Sequence, residues 1–212
     1  MNRSVTSSLL AGALIIATAT SAMAGVVSAA NSTFPPCLVT CPMGDLHAVV
    51  IARDLANNPL NGVFVSFDFS QCPGAYVCPT RPSDPYTYDP ATHRVTMVTN
   101  ATGTADLPLR VGGVGAPGSV QLFASGILLA SYALASPDQN GNGVVTGIVD
   151  VDPALFAAKL GTVDPTADFD CSGGAVDAAD QLIFNQHLSH SCDGIVDAVQ
   201  RRTWGTLKSH YR

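Results

Sequence analysis

The sequence predicts a mainly β protein, in which an antiparallel β-sandwich is followed by a small α-helical module of paired loops and helices. Two observations lead to this prediction. Apolar and polar side chains alternate with a period of two through residues 45–135, which are rich in β-branched residues. The alternation stops after Ser136, and eight of the 16 acidic residues then lie between positions 138 and 180.

The predicted strands are separated by turn-forming Gly, Pro and Asn residues, and several short strands at this spacing favour a sandwich. They cover residues 47–54, 62–69, 93–100, 104–111, 119–125 and 127–134. The segment 70–92 contains two cysteines and five prolines. Because proline cannot pair within a central strand, we expect this segment to be a surface loop pinned by a disulfide.

The start of the chain is typical of a secretory signal peptide. An apolar run follows Arg3 and ends in Ala22-Met23-Ala24, which is a small-x-small cleavage pattern. We therefore expect a secreted product, extracellular or at the cell surface, with no membrane span after leader cleavage. The predicted parts are a signal peptide (1–24), a sandwich (33–135), a loop–helix repeat (136–192) and a basic C-terminal tail (193–212).

Composition and motifs narrow the function. The formal net charge is −6, and every acidic residue is an aspartate. An acidic chain is a poor candidate for nucleic-acid binding, so no nucleic-acid partner is expected. The sequence contains no serine elbow, no His–Glu zinc motif and no phosphate-binding loop, which favours a non-catalytic protein.

The six cysteines all follow the leader, and an even number in an exported chain predicts disulfides. Four lie early and two lie late: Cys37, Cys41, Cys72, Cys78, Cys171 and Cys192. We expect bridges within each cluster, so that Cys171 pairs with Cys192. Three pairings stay open among the first four cysteines, and a zinc site built from those four is the alternative.

The first half of the mature chain carries two short motifs. An Asp-x4-Pro-x2-Gly-Val-x-Val hairpin runs from Asp54 to Val65, and a Thr-x3-Gly-x-Ala turn runs from Thr99 to Ala105. In these motifs the chain resembles bacterial Ig-like domains of the invasin and carboxypeptidase-regulatory type. The resemblance implies an Ig-like β-sandwich. It leaves the function open, because such modules serve as spacers, adhesins and ligand binders.

The acidic region contains a duplication. The segments that begin at Asp138 and Asp168 each carry oxygen-bearing side chains at positions 1, 3 and 5, glycine at position 6, a β-branched residue and a short helix. The predicted helices cover residues 152–160 and 180–188. Phe156 and Phe184 occupy matching positions, so the helices are expected to present the same apolar face. Two matching copies are stronger evidence than one loop.

This spacing suits calcium, which takes six to eight oxygen ligands from side chains and backbone carbonyls of a tight loop. The candidate ligands of the first loop are Asp138, Asn140, Asn142, the carbonyl of Val144, and Asp150 or Asp152. Those of the second loop are Asp168, Asp170, Ser172, a carbonyl near Gly174, and Asp180. Two Ca²⁺ ions are expected, with weaker binding in the second loop because Ser172 is a neutral ligand.

The tandem resembles a type I dockerin, which consists of two loop–helix halves, each half of an EF-hand, that are closed by Asp rather than Glu. The resemblance implies a partner-binding module that docks on a cohesin-like or other extracellular protein. Its contact residues would lie on the solvent face of the helices, at Ala158, Lys159, Gln186 and His187. The alternative is that the repeat is only a calcium-stapled cap on the sandwich.

Two further features suggest other ligands. His187 and His190 have the i, i+3 spacing of metal ligands, but a surface helix end beside a disulfide is the favoured interpretation. Tyr76, Tyr86 and Tyr88 form the only cluster of aromatic residues suited to a polysaccharide. The expected function is therefore extracellular assembly or cell adhesion through the repeat. The alternative is a carbohydrate-binding or adhesin accessory protein in polysaccharide metabolism that acts through the sandwich.

Overall fold

The computed structural model describes residues 25–146 and 151–195. The predicted signal peptide, Asp150 and most of the predicted basic tail lie outside the described residues. The described chain is mainly β, with two short helices near its C-terminal end. Neither of the helices in these two ranges is long and apolar enough to cross a membrane.

The largest sheet is curled and has six strands. They are β1 (Leu38–Val39), β3 (Phe64–Asp68), β5 (Thr87–Asp89), β6 (Arg94–Val98), β9 (Gly115–Ala124) and β10 (Ile127–Ala135). Their order across the sheet is β1-β10-β9-β3-β6-β5. Four of these strands, β3, β6, β9 and β10, overlap segments predicted to be strands. The period-two alternation places side chains such as Val65 and Phe67 on one buried face.

The remaining strands form three small sheets. In these, β2 (His47–Ile51) pairs with β7 (Thr104–Pro108), β4 (Tyr76–Val77) with β8 (Val111–Gly112), and β11 (His190–Ser191) with β12 (Gly194–Ile195). Val50 of β2 and Leu107 of β7 belong to the same buried apolar cluster as Leu122 of the large sheet. This shared core unites residues 25–135, here called the β-region.

One edge of the large sheet differs from the prediction. β1 pairs in parallel with β10, with Leu38 opposite Leu134, so the sheet is mixed rather than antiparallel. A parallel pair needs a long crossover connection. Here the chain between 40 and 126 supplies it, and the period-two pattern carries no signal for such a long-range pairing.

The segment 70–92 is also more ordered than a surface loop. It contains β4 and β5, and β5 extends the edge of the large sheet. Its prolines lie outside both strands, as their missing N–H requires. Tyr86 is only 5% exposed and its hydroxyl accepts the N–H of Arg110 at 3.4 Å. The predicted surface cluster of three tyrosines is therefore wrong.

The two helices are α1 (Asp152–Ala157) and α2 (Ala178–Gln186). α1 has Pro153 in its first turn, where the missing N–H is not needed. α2 begins with a capping box, in which Asp177 accepts the N–H of Ala179 and Asp180 accepts the N–H of Asp177. Proline therefore marks the start of α1, which has no side-chain cap, and the capping box marks the start of α2.

The helices bury a small apolar cluster of their own. The rings of Phe156 and Phe184 stack with centroids 4.7 Å apart, and Phe169 stacks on Phe156 at 5.5 Å. Ala135, Val145, Ala167 and Val176 complete the buried set. The predicted apolar face of the two helices, Phe156 with Leu160 and Phe184 with Leu188, is therefore confirmed for the phenylalanines, whereas Leu160 is 38% exposed.

Each disulfide joins the β-region to the segment that contains the two helices. Cys37 pairs with Cys171 and Cys78 with Cys192, with Cα–Cα distances of 5.7 and 5.5 Å. Cys41 and Cys72 are buried and free. The predicted Cys171–Cys192 bridge and the predicted pairings within the early cluster are therefore wrong. The fold places the repeat beside the N-terminal strands, so nearness in sequence does not indicate nearness in space. A zinc site of the four early cysteines is excluded as well, because two of them form disulfides.

Candidate metal centres

The two acidic loops share one backbone shape. When each loop is numbered from its first aspartate, positions 4 and 6 have positive φ in both. The angles are 69° at Gly141 and 81° at Gly143 in the first loop. They are 58° at Cys171 and 69° at Gly173 in the second. Glycine adopts this conformation without steric cost, which explains three of the four residues. Cys171 is the exception, and it is tied to Cys37 by a disulfide.

The first aspartate of each loop is buried and accepts the same backbone hydrogen bonds. Asp138 Oδ1 accepts the N–H of position 5 at 3.2 Å, and its Oδ2 accepts the N–H of position 6 at 2.8 Å. Asp168 accepts the corresponding bonds at 3.0 and 2.8 Å. Each carboxylate is therefore held in one orientation within its loop.

Positions 3 and 5 also repeat. Asn140 Oδ1 accepts the N–H of Asn142 at 3.0 Å, and Asn142 Oδ1 accepts the N–H of Val144 at 2.9 Å. The same two bonds in the second loop measure 3.0 and 3.2 Å. The side chains at positions 3 and 5 therefore each accept the backbone N–H two residues later in both loops.

The first turn of each helix supplies a buried acid to the adjoining loop. Asp152 Oδ1 accepts the N–H of Asn140 at 3.1 Å, and Asp180 Oδ1 accepts that of Asp170, also at 3.1 Å. Asp152 and Asp180 are 0% and 1% exposed. They therefore make equivalent hydrogen bonds to the two loops. Asp150, the other candidate, lies outside the described residues.

Each loop is hydrogen-bonded to the segment that follows the other helix. Val145 donates its N–H to the carbonyl of His190 at 2.8 Å and accepts the N–H of Ser189 at 2.6 Å, in the segment after α2. Val176 donates its N–H to the carbonyl of Thr162 and accepts the N–H of Gly161, both at 2.8 Å, in the segment after α1. This exchange joins the halves into one unit. Sequence reasoning missed it, although the β-branched residue after each loop glycine was the available signal.

An EF-hand loop closes with an acid at position 12, whereas Asp180 is at position 13 of the second loop and Asp152 at position 15 of the first. The valine pair locates these extra residues. Val145 is at position 8 of the first loop and Val176 at position 9 of the second. The extra residue of the second loop therefore lies between Gly173 and Val176, and those of the first loop lie after Val145. Positions 1, 3 and 5 precede both insertions, so the insertions leave their arrangement unchanged.

The second loop brings together a group that could hold a metal ion. One carboxylate oxygen each from Asp168, Asp170 and Asp180 lies within 4.8 Å of the others. Hydrogen bonds from Ser172, first from its backbone N–H, hold the pKa of Asp170 below its ordinary value. Among the described residues, no Lys or Arg forms an ion pair with these three acids. Gly174, the predicted carbonyl ligand, is exposed beside them.

The predicted partner-contact residues are only partly on the solvent face. Ala158 and Gln186 are exposed. Lys159 is half-buried, with Nζ 2.7 Å from Gln139 Oε1. His187 is only 6% exposed, so its predicted place on the solvent face is wrong. The reason is that the last turn of α2 packs against the β-region, which the spacing of residues within the repeat does not reveal.

No protein-family model, curated protein or solved structure matches this chain. The two disulfides indicate a protein that matures in an oxidising compartment. Function must therefore be inferred from the side chains and their surroundings.

Proposed function

We propose that this chain is an exported, non-catalytic protein whose loop–helix repeat binds two Ca²⁺ ions and serves as a protein interaction module. The observation that supports it best is the duplication of the loop itself. Two segments 30 residues apart place a buried aspartate at position 1, oxygen-bearing side chains at positions 3 and 5, and a buried aspartate from the next helix around the same turn.

Calcium is the cation that this donor set fits. It is a hard cation and takes carboxylate, amide, hydroxyl and carbonyl oxygens. The ligands in the first loop would be Asp138, Asn140, Asn142, Asp152 and the carbonyl of Val144. Those in the second loop would be Asp168, Asp170, Ser172, Asp180 and the carbonyl of Gly174. The ion would neutralise like charges that otherwise repel one another.

The number of carboxylates in each loop favours tighter calcium binding in the second loop, whereas the sequence prediction was weaker binding there. The second loop has three carboxylates, whereas Asp138 and Asp152 are the two in the described part of the first. Ligand charge raises calcium affinity. We therefore expect the second loop to bind more tightly, even though Ser172 is neutral.

Isothermal titration of the exported chain with Ca²⁺ tests the proposal. Two binding events are expected. Asp168→Asn should remove one, and Asp152→Asn should weaken the other more than Asp150→Asn does. Asp164→Asn is the matched control, because Asp164 faces Lys159 at 3.6 Å outside the loops. If the titration detects no calcium binding to the unaltered chain, the proposal is wrong, and the repeat is an acidic segment that the disulfides hold in place.

The interaction surface would be the outer side of the two helices. Leu155 on α1 is 40% exposed and Leu182 on α2 is 60% exposed, and Ala158 and Gln186 are exposed beside them. The opposite side carries Phe156 and is buried. A cohesin-like domain is the partner that the dockerin-like arrangement implies.

A second candidate function is favoured by the disulfides. Cys171 and Cys192 both connect the repeat covalently to the β-region. A module fixed at two points can act as a calcium-stabilised cap of the β-region, with no partner. The carbohydrate-binding alternative has no comparable support, because Tyr86 is buried.

Biosensor binding to a panel of cohesin domains separates these two functions. The interaction module predicts calcium-dependent binding that Leu182→Asp abolishes while calcium affinity stays unchanged. The cap predicts no binding to any cohesin, together with a higher melting temperature in calcium. Phe64→Asp is the control, since Phe64 is equally exposed (60%) but lies on the β-region.

A further inference from the structure

We propose that Cys41, Asp45, His187 and His190 form a Zn²⁺ site between the β-region and the end of α2. It is separate from the calcium loops. One potential ligand atom from each of the four side chains lies within 4.8 Å of the others. Two of the ligands come from the start of the β-region and two from the end of the repeat.

Local structure positions each ligand. Cys41 follows β1, and its carbonyl accepts the N–H of Gly44 at 2.9 Å, which closes a turn that presents Asp45. His187 caps α2, and His190 is the first residue of β11. The N–H of His190 donates to the carbonyl of His187 at 3.1 Å, so a second tight turn sets the spacing of the imidazoles.

Three of the six distances between the ligand atoms are close to the edges of a tetrahedral zinc site. Cys41 Sγ is 3.5 Å from His190 Nδ1. Asp45 Oδ2 is 3.4 Å from His187 Nε2 and 3.1 Å from His190 Nδ1. Typical zinc bond lengths at tetrahedral angles give edges of about 3.5 Å for sulfur to nitrogen and about 3.4 Å for nitrogen to oxygen.

Hydrogen bonds explain the cluster only in part. The single Nδ1–H of a His190 that donates there would be shared between Asp45 Oδ2 at 3.1 Å and Cys41 Sγ at 3.5 Å. The 3.4 Å between His187 Nε2 and Asp45 Oδ2 is also long for a charge-assisted hydrogen bond, which is typically about 2.7–2.9 Å. A cation at the centre would satisfy all four groups at once.

The tautomer of His187 suits metal binding. Its Nδ1 lies 2.6 Å from the carbonyl oxygen of Ile183, which can only accept, so Nδ1 carries the proton. In the neutral form of the ring, Nε2 then presents its lone pair to the cluster. A histidine ligand that donates its other N–H to a backbone carbonyl is the common arrangement in zinc sites.

Charge and burial favour zinc in particular. A thiolate and a carboxylate together balance the two positive charges of Zn²⁺, so the filled site is neutral. Neutrality matters because Cys41 is 0% exposed and the side chains of His187 and His190 are 8% and 13% exposed. One sulfur, two imidazole nitrogens and one carboxylate form a closed four-coordinate set of the structural zinc type.

The site also accounts for a free thiol in a disulfide-bonded protein. Cys37 and Cys78 are oxidised, whereas Cys41 is buried and unpaired. On zinc binding its thiol proton is released to solvent and the thiolate binds the metal. The ion would then be a third connection between the repeat and the β-region, beside the two disulfides.

Cobalt substitution tests the site on the exported chain, stripped of metal and then saturated with calcium. Titration with Co²⁺ should give the visible bands of a tetrahedral site and a thiolate-to-metal charge-transfer band, with one ion bound per chain. Zn²⁺ should displace the cobalt. Cys41→Ser should abolish the charge-transfer band and weaken zinc binding by at least about tenfold.

The controls separate this site from the other cysteines, histidines and the calcium loops. Cys72→Ser changes the other buried free thiol and should leave both bands intact, as should His47→Ala on the surface. Asp45→Asn, at a position whose side chain is 33% exposed, should weaken zinc binding without unfolding the chain. Asp168→Asn should leave zinc binding unchanged, so failure of the calcium proposal would not affect this result.

Three outcomes would overturn the proposal. The first is the absence of tetrahedral cobalt bands in the unaltered chain. The second is equal zinc affinity in the unaltered chain and in Cys41→Ser. The third is a thiol assay of the unfolded exported chain in which alkylation and peptide mapping find Cys41 oxidised in a disulfide.

Discussion

The β-region and the loop–helix repeat are stabilised in different ways. The β-region buries one continuous apolar cluster with side chains from both its large sheet and its small sheets. Val50, Val65, Phe67 and Leu122 are among them. The apolar cluster of the repeat has only seven buried residues, which include Phe156, Phe184 and, from β10, Ala135. Small modules cannot bury enough apolar surface to be stable alone, and they commonly use disulfides or metals instead. Both disulfides of this chain end in the repeat.

The acids of the two regions differ in the same way. In the β-region, Asp68 is paired with Arg94 and Asp84 with Arg110, at 2.7 and 3.1 Å. In the second loop, the acids accept backbone N–H groups and, among the described residues, make no ion pair with Lys or Arg. Arginines therefore balance Asp68 and Asp84 of the β-region. No such partner balances the three acids of the second loop among the described residues, and the proposal is that a cation does so.

The largest expected effect comes from removing a disulfide. Cys37→Ser/Cys171→Ser opens a bridge that spans 134 residues, and we expect a loss of about 2–5 kcal/mol in the free energy of unfolding. Hydrogen exchange should become faster in α2 while the amides of β3 keep their protection. Equal acceleration in β3 and α2 would show that the two regions unfold as one unit.

A smaller effect is expected from the core of the repeat. Phe156→Ala removes the ring that stacks on both Phe169 and Phe184, at a cost of about 3 kcal/mol. Urea unfolding followed by hydrogen exchange should place the loss in α1 and α2. Phe67→Ala is the matched control, because it cuts an equally buried ring from the β-region and should expose β3 and β9 instead.

The sequence predicts the parts of this fold whose signals are local. Strands such as β3 follow from side-chain alternation, and the loops follow from residues at positions 1, 3, 5 and 6. The partner of Cys171 was mispredicted because it depends on how the repeat docks. Of the proposed zinc ligands, the sequence indicates only the spacing of His187 and His190. It does not bring Asp45 to them, because Asp45 lies at the opposite end of the described chain.

The smallest expected effect lies on the surface of the β-region. Arg94 is 48% exposed and pairs with Asp68, whose side chain is 9% exposed. Arg94→Ala should cost about 0.5–1 kcal/mol at neutral pH, as half-exposed ion pairs do. Calcium affinity should not change, because Arg94 makes its contacts within the β-region.

The pH dependence of that loss identifies its cause. Burial acts to raise the pKa of Asp68, but hydrogen bonds from Ser70 and Arg94 outweigh it and hold the pKa below its ordinary value. A carboxyl with a lowered pKa contributes its stability above the ordinary value of about 3.9 and loses it as pH falls through the folded-state pKa. The difference in urea midpoint between Arg94→Ala and the unaltered chain should therefore shrink from pH 7 to pH 3. Arg53→Ala, which removes an arginine without an ion pair in the described chain, should show no such trend. A constant difference for Arg94→Ala would assign the loss to its contact with the Phe123 ring, 5.7 Å away, instead of to Asp68.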